Sequence, residues 1–338
     1  MLRLPTFELE QPATLSEAVR TLAAAGAPAR VVAGGTDLWP NMKRRHQQAR
    51  TVVSLAGVRE LSGVHGMAGR ELRVGAMTTL SDLASHSLVR ASWPALARAL
   101  TSISSPVLRN MGTIGGNLCL DTRCTYYNQN EEWRRSIDYC MKAEGTVCWV
   151  APGSPRCWAI SASDSAPALC ALRARVRLVS SAGERVIDLT ELYHDDGMSY
   201  LRKDEREILV EVIVPPAERW SSAFWKLRRR GSIDYAVLTV APAVERDAHG
   251  VVTAARIFMG AVASCPVRAS EAEAALVGKP LNAEHIAEAA RLARKSGSPL
   301  NNTDFVPQWR SRMIELYMEA ALREIAGLPM ERLPPQHA

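Results

Sequence analysis

Two hydrophobic rhythms alternate along the chain. Leu15, Ala18, Val19 and Leu22 recur at three- and four-residue steps behind Thr14-Leu15-Ser16-Glu17. That tetrapeptide is a capping box, in which a hydroxyl and a carboxylate satisfy orphan amides at a helix start. Gly26 suits the stop. A short apolar run at 31–33 predicts a buried strand, 51–55 and 72–75 read as further strands, and helices are expected at 79–84 and 95–103. The first 115 residues therefore mix helices and strands in an α+β or α/β pattern.

From about residue 118 to 160 both rhythms stop. This stretch holds five cysteines, three tryptophans and two prolines without a steady period. A loop of that length inside a domain is usually functional or cross-linked. Regular pattern then resumes at 175–179 and 184–189, a hairpin around Ser180-Ser181-Ala182-Gly183, and at 208–214, ended by Pro215-Pro216. Runs at 223–228, 235–245 and 251–261 predict a three-stranded meander with Asp247-Ala248-His249-Gly250 as one turn. Helices near 271–277, 282–295 and 304–325 complete a separate α+β domain.

At 338 residues and 47% hydrophobic, the chain can bury a sizeable core. Its formal charge of +6 comes from scattered arginines and from clusters at Lys43-Arg44-Arg45 and 226–230, a poor case for nucleic acid. Lys43-Arg44-Arg45 is a solvated face or a docking face for an acidic ferredoxin. The first residues lack the apolar run of a signal peptide, and no stretch reaches the ~18 apolar residues of a membrane span. A cytoplasmic protein is expected. Thiols stay reduced there, so clustered cysteines serve as metal ligands or redox groups before disulfides.

Gly34-Gly35-Thr36-Asp37 follows a strand, and Thr113-Ile114-Gly115-Gly116-Asn117 forms a second glycine pair. Glycines let backbone amides approach a pyrophosphate, although a glycine pair can equally be a tight turn. Neither turn is Gly-x-Gly-x-x-Gly or a Walker A sequence. Cys124, Cys140, Cys148 and Cys157 lack the Cys-x2-Cys pairs of zinc ribbons and common ferredoxins. Their spacing alone leaves zinc, an iron–sulfur cluster and unrelated thiols open. Cys119, Cys170 and Cys265 read as small buried hydrophobes, and Trp133, Trp149 and Trp158 as packing that keeps water from the loop. No nucleophile elbow or zincin motif is present, so no catalytic residue is expected.

Taken in order, Val31-Val32-Ala33-Gly34-Gly35-Thr36-Asp37-Leu38, Thr113 to Asn117, Asp164 with Ala166-Pro167-Ala168-Leu169, and Phe224-Trp225-Lys226 before Arg229-Arg230 resemble the FAD-binding medium subunits of the molybdenum hydroxylases. Xanthine dehydrogenase and aerobic carbon monoxide dehydrogenase belong to that group. The resemblance covers nearly the whole chain. It implies an α+β architecture: a flavin-binding fold of the vanillyl-alcohol-oxidase/PCMH type in two subdomains over 1–219, interrupted at about 118–160. A C-terminal domain with a three-stranded antiparallel sheet and helix bundle would span 220–330, with a tail at 331–338.

On that resemblance Val31, Val32, Ala33, Gly34, Gly35, Thr36, Asp37 and Leu38, with Thr113, Ile114, Gly115, Gly116 and Asn117, would line the FAD pyrophosphate and ribityl chain. Ile103, Asp164, Leu209 and Lys226 match further FAD-contacting positions. As residues alone, Asp164 can accept from flavin hydroxyls or cap a helix, Lys226 can supply charge or be a solvated strand lysine, and Ile103 and Leu209 are core.

The insertion resembles that of the 4-hydroxybenzoyl-CoA reductases. The similar runs are 117–127, Ile137-Asp138-Tyr139-Cys140-Met141-Lys142, Cys148-Trp149-Val150 and Ser154-Pro155-Arg156-Cys157. In that family the insertion holds a [4Fe–4S] cluster, and Cys124, Cys140, Cys148 and Cys157 occupy the ligand positions. The resemblance further implies a large partner with the molybdenum cofactor, a small partner with two [2Fe–2S] clusters, and a dimer of heterotrimers. Ferredoxin electrons would pass through the cluster and FAD toward reductive dehydroxylation of 4-hydroxybenzoyl-CoA to benzoyl-CoA. Alternatives are a flavin subunit passing electrons outward to NAD or a quinone, and a zinc-stabilised scaffold.

Overall fold

Three sheets and the helices between them order the chain, which the computed structural model describes over residues 2–330. The tail expected at 331–338 lies outside the described residues. The first sheet is parallel, with Thr51–Ser54 between Glu8–Glu10 and Ala29–Val32. Every residue of its central strand is buried. Helix Leu15–Ala24 seats Ala18, Val19 and Leu22 in the adjoining core. Thr14 Oγ1 accepts from the Glu17 amide at 3.2 Å, and the Glu17 carboxylate accepts from the Ala13 amide at 2.9 Å. The return bond of the capping box thus falls one residue before the cap.

The second sheet is antiparallel, in the order Val64–His65, Leu72–Gly75, Ile208–Val214, Arg175–Ser180 and Gly183–Asp188. Ile208–Val214 is buried at six of its seven positions, as its near-continuous apolar run requires of a central strand. Helices Leu80–Ser85, Pro94–Ser102 and Ser165–Ala171 share the main core with this sheet.

The predicted meander is present as Trp225–Leu227, Leu238–Arg246 and Val252–Gly260, and two short strands, Trp220–Ser222 and Val267–Arg268, extend it to five. Pro242, which cannot donate to a ladder, falls where the neighbouring edge breaks between Trp220–Ser222 and Trp225–Leu227. One face of this sheet sends Ala241, Ala243 and Phe258 into the main core. The other packs Val240, Val244 and Ile257 against helices Ser270–Leu276, Ala283–Ser296 and Pro307–Ala326. Pro307 opens the last helix and Gly327, with φ of 67°, closes it in the left-handed conformation.

Inside the irregular stretch, one short helix forms at Glu131–Ser136, capped by Asn130 Oδ1 accepting from the Trp133 amide at 2.8 Å. Reciprocal backbone bonds between Arg123 and Ile160, at 2.9 and 2.8 Å, close the neck of the loop. Asn302 straps it to the C-terminal helices, accepting from the Thr125 amide at 2.9 Å and donating to the Trp158 carbonyl at 2.7 Å. Behind Asn302, the fully buried Arg310 donates to the carbonyls of Val237, Ala261 and Leu300. No carboxylate pairs with it among the described residues, and burial pushes its guanidinium down to about 10.

Candidate functional site

A cavity of about 980 Å³ lies between the parallel sheet, which contributes Ala29 to Val32, and the second sheet, which contributes Ile208 and Leu209. That is large enough for a dinucleotide-sized ligand. Val31, Val32, Ala33, Gly34, Gly35, Thr36, Asp37 and Leu38 line it, with Ile103, Thr113, Gly115, Gly116, Asn117, Asp164 and Leu209. Ile114 and Lys226 do not. Ile114 is turned into the core, and Lys226 stands behind Asp164.

The two glycine turns meet. A Cβ on Gly34 would lie 1.7 Å from the Met111 carbonyl oxygen, so the first turn is pressed onto the backbone that leads into the second. Gly35 has φ of +70°, and its Cβ would meet the Trp39 indole at 2.2 Å. Among the described residues, the amides of Gly34, Gly35 and Thr36 have no acceptor. They are donors without partners on the wall of a cavity. Thr113 Oγ1 accepts from the Gly116 amide at 3.1 Å and starts the one-turn helix Ile114–Leu118. Asn117 Oδ1 accepts from the hydroxyls of Ser163 and Ser165 at 2.9 and 2.6 Å, tying that turn to the next segment. Replacing Thr113 by Ala should cost about 1 kcal/mol through the lost cap; a denaturant unfolding curve unchanged from the parent would count against this role.

Asp164 precedes helix Ser165–Ala171 but its side chain does not cap it. Instead Oδ2 accepts from Lys226 Nζ at 2.6 Å, and Nζ also donates to the Ser102 carbonyl at 3.0 Å. The lysine side chain is 3% exposed, so the solvated-strand reading fails. Asp164 Oδ1 is buried without a partner. Burial raises the Asp164 carboxyl above its ordinary range, against the pull of Lys226. Asp37 is held by Arg123 from the insertion and by Asn41 Nδ2 at 3.1 Å. The fit to FAD is good on these observations: unpartnered amides where glycines admit close approach, and an unsatisfied carboxylate oxygen on the same wall.

Several lining residues hold none of the expected cofactor-contacting positions, among them Arg109, Lys142, Tyr200 and Tyr235. Arg109 donates to the Ile103 carbonyl at 2.7 Å. Tyr235 lies under the Arg123 guanidinium at 4.9 Å. Arg109 lies close in sequence to Ile103 and the second glycine turn, whereas Tyr235 reaches the wall from a segment that only the fold brings there.

Cys124, Cys140, Cys148 and Cys157 are all buried and unpaired. Three of them, Cys124, Cys140 and Cys157, share one apolar cluster with Tyr127 and Ala159. Burial pushes the Cys124 thiol up to about 12 and the Cys157 thiol up to about 11. Metal binding here would therefore release protons. Among the described residues, no set of three or more His, Cys, Asp or Glu is arranged to hold a single metal ion. Thiolates bound to separate irons of a cluster stand farther apart than ligands crowded on one ion. The donor set, buried thiols alone with three of them in one apolar cluster, is of the kind that holds an iron–sulfur cluster. Two of the tryptophans do not shield it as expected: Trp133 and Trp149 are more than a third exposed. Each is held at the surface, Trp149 by donating to the Tyr139 carbonyl at 2.6 Å and Trp133 beside Tyr126.

No described helix is long and apolar enough to cross a membrane. The family pattern "FAD binding domain in molybdopterin dehydrogenase" matches residues 5–217, and "CO dehydrogenase flavoprotein C-terminal domain" matches 222–325. The chain is 30% identical to the nicotinate dehydrogenase FAD-subunit of Eubacterium barkeri, over 82% of both chains. It is 32% identical to an aldehyde oxidoreductase FAD-binding subunit of Escherichia coli, over 81% of this chain and 86% of the other. A solved carbon monoxide dehydrogenase chain from Hydrogenophaga pseudoflava superposes with a TM-score of 0.79 at 28% identity, covering 96% of this chain and 99% of that one. With the pattern matched over most of its length and the cavity in place, the chain belongs to the FAD-binding medium subunits of the molybdenum hydroxylases, the family of xanthine and carbon monoxide dehydrogenases.

Proposed function

We propose that this subunit serves a 4-hydroxybenzoyl-CoA reductase-like enzyme, carrying low-potential electrons from ferredoxin through a [4Fe–4S] cluster and FAD. The observation that carries the reading is the set of four buried thiols in a loop that also contributes Asp121, Tyr127 and Lys142 to the cavity wall. In this reading residues 1–219 bind the flavin and 220–330 form the C-terminal domain. A large molybdenum subunit and a small two-[2Fe–2S] subunit complete a heterotrimer, which pairs into a dimer, and the substrate site lies on the large one.

FAD supplies a group that trades electrons singly or in pairs. The chain's own residues bind and orient it. The amides of Gly34, Gly35 and Thr36 would receive the pyrophosphate, with Asp37 held off by Arg123. Asp164 Oδ1 would accept from a flavin or ribityl donor, and Lys226 orients that carboxylate and favours its ionised form against burial. Cys124, Cys140, Cys148 and Cys157 would ligate the cluster. Electron input from an acidic ferredoxin is supported by Lys43, Arg44 and Arg45. These are exposed, and Arg134 of the insertion helix donates to the Arg44 carbonyl at 3.0 Å, so basic surface and thiol loop adjoin.

A second reading, outward flow to NAD or a quinone, is favoured by the relatives named as dehydrogenases. Anaerobically purified protein should contain about four irons and as many sulfides per chain beside one flavin. Cys124→Ser should lose nearly all the iron and keep the flavin. Stoichiometric zinc, or iron undiminished in the variant, would refute the cluster. A cluster potential well above that of the flavin would favour outward flow instead.

A further inference from the structure

Lys142 lies in the insertion between Cys140 and Cys148. Its side chain is 6% exposed, and the ammonium makes three bonds: to Asp121 Oδ1 at 2.8 Å, Thr122 Oγ1 at 2.8 Å and the Gly197 carbonyl at 2.7 Å. The rings of Tyr127 and Tyr200 stand 4.9 and 5.3 Å from it. Lys142, Asp121, Tyr127 and Tyr200 all line the large cavity. Gly197, whose carbonyl receives the ammonium, also touches the segment of a thiol. Its amide donates to the Cys157 carbonyl at 2.9 Å, and a Cβ on it would lie 2.8 Å from Cys157 Sγ. The same Cβ would lie 2.7 Å from the Ala159 backbone nitrogen, so only glycine fits between the lysine's carbonyl partner and the thiol segment.

A buried ion pair is a poor stabiliser, because desolvation cancels much of its attraction. Stability alone therefore gives little reason for an ammonium and a carboxylate here. What a buried charge does well is act on other charge through a medium that screens weakly. An electron arriving on either side of this wall adds a negative charge near the lysine.

We propose that Lys142 is a positioning residue for electron transfer, whose fixed charge, anchored by Asp121, favours the reduced state of both the group held by the thiols and the flavin in the cavity. The inference rests on the proposed function, since it needs both groups. Lys142 sits on the wall common to the two compartments, so one charge biases both couples together and keeps them matched. Asp121 opposes it and sets how much of that charge is felt.

Two variants separate this from a packing role. Lys142→Met removes the cation, and Asp121→Asn removes the opposing anion at nearly unchanged shape. Flavin and iron–sulfur potentials are measured by spectroelectrochemical titration of the full complex. Lys142→Met should lower the ratio of reduced to oxidised flavin at fixed potential about tenfold, ~30 mV for a two-electron couple. Asp121→Asn should move it in the opposite direction, and the iron–sulfur signal should follow the same signs. If Lys142→Met fails to fold, the upward shift in Asp121→Asn alone decides. Shifts of the same sign in both variants, or unmoved potentials in folded protein containing flavin and iron, overturn the inference and leave the proposed function standing. Parent protein with flavin but no iron overturns both.

Discussion

Replacing Lys226 by Met is expected to destabilise the chain by about 3–5 kcal/mol, the cost of stranding one member of a buried ion pair. The pair qualifies because both side chains are almost fully covered, 3% exposed for the lysine and 6% for Asp164. With the lysine gone, Asp164 Oδ2 loses its 2.6 Å partner while Oδ1 already has none. The pH dependence has a definite sign. Burial raises the Asp164 carboxyl, so the folded chain takes up its proton more readily than the unfolded chain does. Stability from this group is therefore greatest in acid and falls as pH rises through the folded value. Losing Lys226 raises the carboxyl further, because the attraction that lowered it disappears. The defect should thus be larger at about pH 8 than at about pH 5, by urea titration of the purified chain. Asp164→Asn combined with Lys226→Met removes both charges and should recover most of the loss. A single variant as stable as the parent at both pH values, or a double variant worse than the single, would show that the pair does not act this way.

Much of the fold was legible because each rhythm has one physical cause. Ile208–Val214 and Leu72–Gly75 appear at the predicted bounds: the first is a short β-branched apolar run buried at six of seven positions, and the second alternates buried Leu72 and Val74 with exposed Arg73. The hairpin and the three closing helices were equally plain. Short edge strands such as Val267–Arg268 were not, because two residues carry no period and gain their bonds only from a neighbour already in place. Helix Glu131–Ser136 escaped for a similar reason: six residues behind an Asn cap make too little pattern to stand out from a cysteine-rich loop. The glycine turns were legible as turns, but that they press against each other at Gly34 and Met111 is a tertiary fact. Lys226 was visible through resemblance, and its action through Asp164 was not. Lys142 is the clearest omission. Between two thiols in sequence, it stood out only as the end of a run of resemblance, and Asp121, Thr122 and Gly197 converge on it only in the fold.

Gly34→Ala should yield a chain that no longer retains flavin. The added Cβ would sit 1.7 Å from the Met111 carbonyl oxygen, and no side-chain rotation relieves a contact with backbone. Either the first turn moves away from the second, or the segment from Met111 to Thr113 gives way; both disturb the wall where the free amides stand. Overpacking of this kind costs ~1–3 kcal/mol or more. If that cost falls on the cofactor-binding geometry, flavin affinity drops roughly tenfold for each 1.4 kcal/mol. Gly35→Ala is the informative comparison. Its obstacle is the Trp39 ring, a side chain that can swing aside, so its penalty comes mainly from the positive φ of 70° and should be near 1 kcal/mol. Gly116→Ala meets Thr113 Oγ1 at 3.1 Å and Ala33 Cβ at an ordinary 3.6 Å, and should be the mildest of the three. Flavin content and binding by fluorescence quenching should therefore rank Gly34→Ala below Gly35→Ala and Gly35→Ala below Gly116→Ala. Equal retention across the series would mean that the meeting of the two turns does not shape the cofactor site. Loss confined to Gly116→Ala would place the cofactor's close approach on the second turn alone.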